Sequence, residues 1–406
     1  VPPRKKNPSD FDPNHEEYQN FYDLLISQGL SNFKLGQYQQ AIDMFDSAIK
    51  QRPDDAIGYG HRSISYVRLG QYQRAIEDYD KRIELDPNNA WTYSSRGKAY
   101  DNLGQYHRAI EDYDKAIELD PNSAIGYQNR GYSYRRLSQY HRAIEDYDKA
   151  IELDPNYALG YRSRGYSYQR LGQNERAIED YDKAIELNPN NSIDYHNRGY
   201  SYDNLGQYQR SIEDYDKAIE LDPNANRYGA RGNAYRNLSQ YQRAIEDYDK
   251  AIELDPNNAW AYERRGFSYQ RLGQNERAIE DYDKAIELNP NNTWAYERRG
   301  DSYDNLDQYQ RAIEDFDKAI ELDPNNAINY RVRGFSYQRL GQNEQAIEDY
   351  DKAIELNPNN AWAYERRGGA YQRLGQNERA IEDYDKAIEL DPDNADAYNN
   401  VKMRIV

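Results

Sequence analysis

The sequence predicts an all-α fold, a solenoid of short helix–turn–helix units stacked in line. Three observations carry that expectation. Eleven prolines from Pro53 to Pro392 recur every 34 residues, with one step of 33 between Pro223 and Pro256, and a fixed period of this length marks a stacked-repeat architecture. Within each period, apolar and small residues fall at helical spacing twice, with turn residues between the two stripes. Composition is the third. Even counting 43 tyrosines, only 37% of the 406 residues are hydrophobic, too little aliphatic side chain for one thick globular core.

The elements follow in chain order. Residues 1–21 read as an extended leader, with Pro2, Pro3, Pro8 and Pro13 and the basic run Arg4-Lys5-Lys6 ahead of acids. Residues 22–394 hold eleven units, and the shortened one has lost its residue in the turn between Pro223 and Tyr228. In the unit 259–292, Tyr262, Gly266, Tyr269 and Leu272 make the stripe of a first helix, and Gly273-Gln274 breaks it. Ala278, Ile279, Tyr282, Ala285 and Ile286 make the stripe of a second helix, which Asn289-Pro290 closes. Gly266 and Ala278 are small enough to let the two backbones approach, while Glu280 and Lys284 are spaced for an exposed i, i+4 pair. Residues 395–406 begin a further first helix and end on Val401, Met403, Ile405 and Val406. Solenoids normally finish in a polar cap, so this end is expected to continue or to dock on another surface.

A 34-residue unit with Tyr, Gly, Tyr, Ala, Tyr, Ala and Pro at these offsets resembles the tetratricopeptide repeat. The family's fourth-position aromatic stands here as Tyr93, Tyr127, Tyr161 and Tyr195, and its eighth-position small residue as Gly97, Gly131, Gly165 and Gly199. Its conserved Ala and Pro match Ala109 and Pro121. The first unit departs most, with Asn32 where Tyr is expected. One departure is systematic: the seventh position, usually apolar, is Arg96, Arg130, Arg164, Arg198, Arg231, Arg265, Arg299, Arg333 and Arg367. The resemblance implies a right-handed superhelical α-solenoid, its concave wall lined mainly by first helices, and a function in binding other proteins.

Charge is segregated. The chain carries −18 overall, yet the first helices from the second repeat onward are net positive, except those beginning at Ser192 and Thr293. The second helices hold the acid, in a repeated Glu-Asp-Tyr-Asp. The seventh-position arginines are expected to pair with that motif inside the repeat, which leaves a modestly basic groove, weaker than a usual nucleic-acid footprint.

Repeats share their second helices almost letter for letter and differ along the first, so the varying positions are the candidate groove lining. The second position contributes Trp91, Trp260, Trp294 and Trp362. The fifth and sixth contribute Arg162 and Asn129, and the ninth Lys98, Tyr132, Tyr166, Tyr200, Asn233, Phe267 and Phe335. The twelfth and thirteenth contribute Arg135, Arg136, Arg170, Asn204, Arg236, Arg271, Arg339 and Arg373. Aromatic and arginine anchors among polar neighbours are the makings of interface hot spots; the plainer reading is that the ninth-position rings pack on the next repeat. The regular tyrosines are expected to bury their rings and keep their hydroxyls at the rim.

Chemistry is absent from the pattern. There is no cysteine, and His15, His61, His107, His141 and His196 have no metal-ligand spacing. No phosphate-cradling loop or nucleophile elbow occurs, and no apolar run is long enough to span a membrane. The expectation is a non-enzymatic scaffold without cofactor or metal, binding a partner peptide or helix in an Arg/Tyr-lined groove. Two alternatives stand beside it: a subunit that self-assembles through its ends into filaments or oligomers, and a groove for single-stranded nucleic acid or glycan. The partner and the compartment are left open. A removed export signal would fit a chain that begins at Val1.

Overall fold

The computed structural model describes residues 13–392. Among these every regular element is a helix, and the chain divides into two compact units, residues 1–205 and 206–406. The first unit holds α1 (Pro13–Lys34), α2 (Tyr38–Gln51), α3 (Ala56–Arg68), α4 (Tyr72–Leu85), α5 (Ala90–Asn102), α6 (Tyr106–Leu119), α7 (Ala124–Arg136), α8 (Tyr140–Leu153), α9 (Ala158–Arg170), α10 (Asn174–Leu187) and α11 (Ser192–Asn204). The second holds α12 (Tyr208–Leu221), α13 (Ala225–Asn237), α14 (Tyr241–Leu254), α15 (Ala259–Arg271), α16 (Asn275–Leu288), α17 (Thr293–Asn305), α18 (Tyr309–Leu322), α19 (Ala327–Arg339), α20 (Asn343–Leu356), α21 (Ala361–Arg373) and α22 (Asn377–Leu390). Within each unit the first helix of a repeat packs on its own second helix and on the second helix of the repeat before. The all-α helical solenoid is the architecture the 34-residue period calls for.

Helix boundaries have local causes. First helices from α3 onward open on a side-chain cap, except α9, where Tyr157 stands in the cap position without one: Asn258 accepts from the Ala261 N–H at 3.2 Å and Ser123 from the Gly126 N–H at 3.2 Å. Each ends in a left-handed residue. At Gly273, φ is +73°, the Gly273 N–H bonds the Gln270 carbonyl and the Gln274 N–H bonds the Tyr269 carbonyl, the doubly bonded stop that glycine favours. Three repeats put Ser138, Ser239 or Asp307 in that place, at φ of +57 to +59°, at a cost of about 1 kcal/mol each.

The core is a column of aromatic rings. The ring at position 24 is wholly buried in repeats three to ten, as Tyr113, Tyr147, Tyr181, Tyr215, Tyr248, Tyr282, Phe316 and Tyr350, and buried too as Phe45, Tyr79 and Tyr384 in the other three. It lies against the eighth-position glycine: a Cβ on Gly131 would sit 2.7 Å from the Tyr147 ring. Expecting every tyrosine hydroxyl at the rim was therefore wrong for this position. These rings end inside the stack and need polar partners there.

Two other expectations change. Residues 13–21, read as extended leader, belong to the long helix α1, while residues 1–12 and the apolar end from Val401 to Val406 lie outside the described residues. Lys284 reaches Glu287 at 2.8 Å rather than Glu280, an exposed pair that contributes little in either arrangement.

Candidate functional site

The seventh-position arginines settle where most of the charge goes. In the repeat 90–123, Arg96 grips Asp112 of its own second helix with two bonds, Nε to Oδ2 at 2.9 Å and Nη2 to Oδ1 at 2.6 Å. Its remaining nitrogen, Nη1, reaches Asp80 of the preceding repeat at 2.5 Å. Arg62, Arg130, Arg164, Arg231, Arg265, Arg299, Arg333 and Arg367 make the same three-way clamp. The expected pairing within the repeat is present, and a bond between repeats is added to it. The hydrogen bonds that Arg130 donates to Asp146 hold its guanidinium above its ordinary range, whereas burial pushes the Asp112 carboxyl up against the opposing pull of Arg96.

Most predicted lining residues turn out to join neighbouring repeats. Trp91, Trp260, Trp294 and Trp362 each meet edge-on the position-24 tyrosine of the repeat before, at 6.2, 6.1, 5.9 and 6.1 Å between ring centres. Phe267 and Phe335 pack on the next repeat's Trp294 and Trp362 at 6.3 and 6.1 Å, so the plainer reading of the ninth position holds for them. Arg135 lies between the rings of Tyr132 and Tyr166, at 5.0 and 4.9 Å. Arg236 lies 5.9 Å from Phe267, and the Asn233 side chain accepts the Tyr248 hydroxyl at 2.9 Å. Arg162 is ion-paired with the fully buried Asp194 of the next repeat. Half-buried Asn129 offers its carbonyl to the Ser133 hydroxyl at 3.3 Å.

The thirteenth position is different, because it stays exposed. Arg136, Arg170, Arg271 and Arg339 each lie over a tyrosine at the start of the preceding second helix, Tyr106, Tyr140, Tyr241 and Tyr309, at 5.0, 5.9, 5.8 and 5.1 Å. Where the neighbour is Asn174, the residue above it is Asn204, bonded at 3.3 Å. Arg373 instead donates to the Gln338 carbonyl at 3.1 Å. Lys98 and Tyr200 are exposed as well. The first helices thus present exposed arginines over tyrosines, Arg136 and Arg170 in the first unit and Arg271 and Arg339 in the second, in the arrangement of a cation–π contact.

On that face of the second unit, Phe267, Gln270 and Arg271 of α15 and Arg298, Asp301, Asp304 and Asn305 of α17 line a cavity of about 360 Å³. Only Phe267 and Arg271 were among the predicted lining residues. The missed signal was the paired acid of α17 on a face that is otherwise basic. A larger cavity, about 540 Å³ between α16 and α18, is built over the Arg299 clamp, whose groups are already engaged. Among the described residues no group of three or more His, Asp or Glu is placed to hold a metal ion, and no helix is long and apolar enough to cross a membrane.

Asp301 is under electrostatic load. Burial pushes its carboxyl up to about 6, with Arg298 and Arg331 opposing and Asp304 and Glu297 adding to the rise. A raised carboxyl stabilises the fold fully below its unfolded value near 3.8 and loses that contribution as pH rises through about 6, so the ionised form is a net cost at neutral pH. Its side chain is one-third exposed, which holds the effect to about 1 kcal/mol or less. Asp301→Asn is accordingly expected to raise the unfolding midpoint most at pH 7.5, where the folded carboxyl is ionised, and by clearly less at pH 4.5, inside the window between 3.8 and about 6 over which the difference develops, in paired thermal melts.

Comparison with known proteins agrees with the geometry. Sequence profiles described as Tetratricopeptide repeat match residues 90–123, 158–191, 194–224, 259–292, 293–326 and 361–394, with others at 112–145 and 316–348 and at 23–55. A profile described as TPR repeat matches 65–104, 131–172, 232–273 and 337–375. No curated protein matches the chain in sequence. Among solved structures, the C-terminal part of a TPR repeat-containing protein from Cytophaga hutchinsonii is similar over 59% of this chain and 98% of its own, at 21% identity and a TM-score of 0.52. A tetratricopeptide repeat protein from Parabacteroides merdae is similar over 61% of this chain and 99% of its own, at 22% identity and a TM-score of 0.50. YrrB, described as a TPR protein with an unusual peptide-binding site, is 28% identical over 46% of this chain and 96% of its own, with a TM-score of 0.41.

Proposed function

Because the chain belongs to the tetratricopeptide repeat family, we propose that it is a non-enzymatic scaffold holding a partner polypeptide segment against its first-helix face. The observation that carries this reading is made in each unit by itself: exposed arginines, Arg136 and Arg170 in the first and Arg271 and Arg339 in the second, each lie over a tyrosine. The ring holds each guanidinium at little further entropic cost; Arg136 donates to the Tyr132 hydroxyl at 2.9 Å, Arg271 to the Tyr241 hydroxyl at 3.3 Å and Arg339 to Asp307 at 3.4 Å, and their remaining N–H groups suit carboxylates and peptide carbonyls. The tryptophans and the Arg62-type clamps serve the stack beneath and do not enter the proposed contact surface.

The test is affinity for acidic peptides. In the quadruple variant Arg136→Ala, Arg170→Ala, Arg271→Ala and Arg339→Ala, binding of a fluorescein-labelled acidic peptide is expected to weaken at least about tenfold, the equivalent of 1.4 kcal/mol. Far-ultraviolet circular dichroism should be unchanged, since all four side chains are exposed. Unchanged affinity would remove the reading. A polymer ligand remains a second reading because aromatic–arginine surfaces also stack bases and sugars; a steep fall of binding with salt identifies nucleic acid. Self-assembly is the third, supported by Phe21 and Leu24 on α1, which are 48% and 49% exposed, and mass by light scattering decides it.

A further inference from the structure

Resting on that reading, we infer that Arg135 and Arg170, with the hydroxyls of Ser138 and Tyr140, form an anion subsite in the first unit that seats a phosphorylated side chain of the partner segment.

Two substitutions travel together along the chain. The twelfth position is arginine only at Arg135 and Arg236, and the left-handed turn residue is serine only at Ser138 and Ser239, in the same two repeats. In both, the second helix then opens on a tyrosine, Tyr140 or Tyr241, and the next repeat brings Arg170 or Arg271 over it at 5.9 or 5.8 Å. In the first unit each substitution costs the stack something. Ser138 sits at φ +59°, where most repeats use glycine. Arg135 stands where Asp101, Gln338 and Gln372 accept the buried tyrosine hydroxyl of their own repeats. In its repeat the Tyr147 hydroxyl and the Arg135 Nε are buried without a hydrogen-bond partner. Local losses that recur as a set point to a surface serving something other than the fold.

What the set builds is positive and rich in donors. The Tyr140 hydroxyl meets Ser138 Oγ at 3.5 Å. That bond, then the charges of Arg170 and Arg135, hold the Tyr140 phenol below its ordinary value, so both guanidiniums act on this one hydroxyl. Among the described residues neither Arg135 nor Arg170 is paired with a carboxylate; rings alone hold them, Tyr132 and Tyr166 for the first and Tyr140 for the second. Ser138 and Tyr140 also wall a cavity of about 400 Å³ with Gln139, His141, Arg142 and Leu171, a lining without acid. The second unit is less open to an anion, since Arg339 already donates to Asp307 at 3.4 Å and Arg271 shares a cavity with Asp301 and Asp304. A partner carboxylate at the first-unit site carries one charge and leaves one guanidinium unmatched. A phosphoryl group brings close to two charges and three acceptor oxygens, enough for both guanidiniums and for the hydroxyls.

Three labelled nine-residue peptides test it by fluorescence anisotropy on the full chain. Each carries Glu at positions 3 and 7, and they differ only at position 5, as phosphoserine, Glu or Ser. The phosphoserine peptide is expected to bind at least about tenfold tighter than the Glu peptide, with the Ser peptide weakest. The double variant Arg135→Gln, Ser138→Gly returns the site to the residues of other repeats. In it most of the preference should vanish, while the Glu peptide binds as it does to the parent. The same variant should melt at a higher temperature, because Gln offers the Tyr147 hydroxyl an acceptor and Gly relieves the left-handed backbone. A lower melting temperature would mean that the two residues serve the stack, and overturns the inference. Equal binding of the phosphoserine and Glu peptides by the unaltered chain also overturns it and leaves the acidic-peptide scaffold standing, as does a preference that survives the double variant. An oligothymidylate that binds tighter than the phosphoserine peptide, displaces it and loses its affinity in the double variant assigns the subsite to a nucleic-acid backbone instead. No binding of any of the three peptides removes the scaffold reading and this inference together.

Discussion

Replacing Arg265 with alanine is expected to cost about 3–5 kcal/mol, the range seen when one partner of a buried ion pair is removed. The reason lies in what is left behind. Asp281 is 4% exposed, and its two oxygens are held by Arg265 Nε at 2.9 Å and Nη2 at 2.6 Å. Without the guanidinium that carboxylate has to be protonated or dragged toward water, and burial already pushes it above the ordinary range. The third bond, from Nη1 to Asp249 at 2.6 Å, ends on a side chain 49% exposed. Asp249→Asn should therefore cost less than about 1 kcal/mol. Arg265→Ala combined with Asp281→Asn should recover part of the loss by removing the stranded charge. Because each repeat leans mainly on its neighbours, hydrogen exchange should show the loosening concentrated in α14, α15 and α16. Equal costs for Arg265→Ala and Asp249→Asn would mean that the bond between repeats, and not the buried carboxylate, governs.

This clamp also shows what the sequence could and could not yield. The 34-residue period, the two helices per repeat and the arginine series were all legible, since each depends on spacing within one unit. The partner of the third guanidinium nitrogen was not. Arg96 stands sixteen residues before Asp112 and sixteen after Asp80, so separation alone does not tell the repeat's own acid from its neighbour's. Three-dimensional stacking supplies both. The site was legible to a smaller degree for a related reason. Variation between repeats is expected to trace a ligand, but Arg135 and Arg162 are engaged by the neighbouring repeat, and the tryptophans pack on a position-24 tyrosine that most repeats share. A hint existed in pairs thirty residues apart, Arg over Tyr at Arg136 and Tyr106 and Asn over Asn at Asn204 and Asn174. Such pairs reveal a junction between repeats, and they separate the stack's own requirements from surface left over for a partner.

The second large effect is expected at the ring column. Tyr113→Ala should cost about 3–5 kcal/mol, the usual range for emptying a buried aromatic site, and toward the upper end, because the site has no means of collapsing. One wall is the backbone at Gly97, whose Cβ would lie 2.9 Å from the ring, so no side chain there can swing into the void. The hydroxyl adds a polar share: it donates to Asp101 Oδ2 at 2.8 Å, and Ser133 of the next repeat donates to Oδ1 at 2.6 Å. Tyr113→Phe should accordingly cost about 1 kcal/mol. The same junction is built once without the hydroxyl, where Asp304 takes the Ser336 hydroxyl at 2.7 Å but the buried ring is Phe316. Phe316→Tyr would add the missing donor, and a gain of about 1 kcal/mol in urea unfolding is the expected result. Gain at Phe316→Tyr together with loss at Tyr113→Phe would establish the hydroxyl–carboxylate bond as a stabilising unit of the stack. Loss in both would mean that the ninth repeat is packed around phenylalanine, with the Gly300 backbone, where a Cβ would lie 2.7 Å from that ring, leaving no room for a tyrosine to adjust.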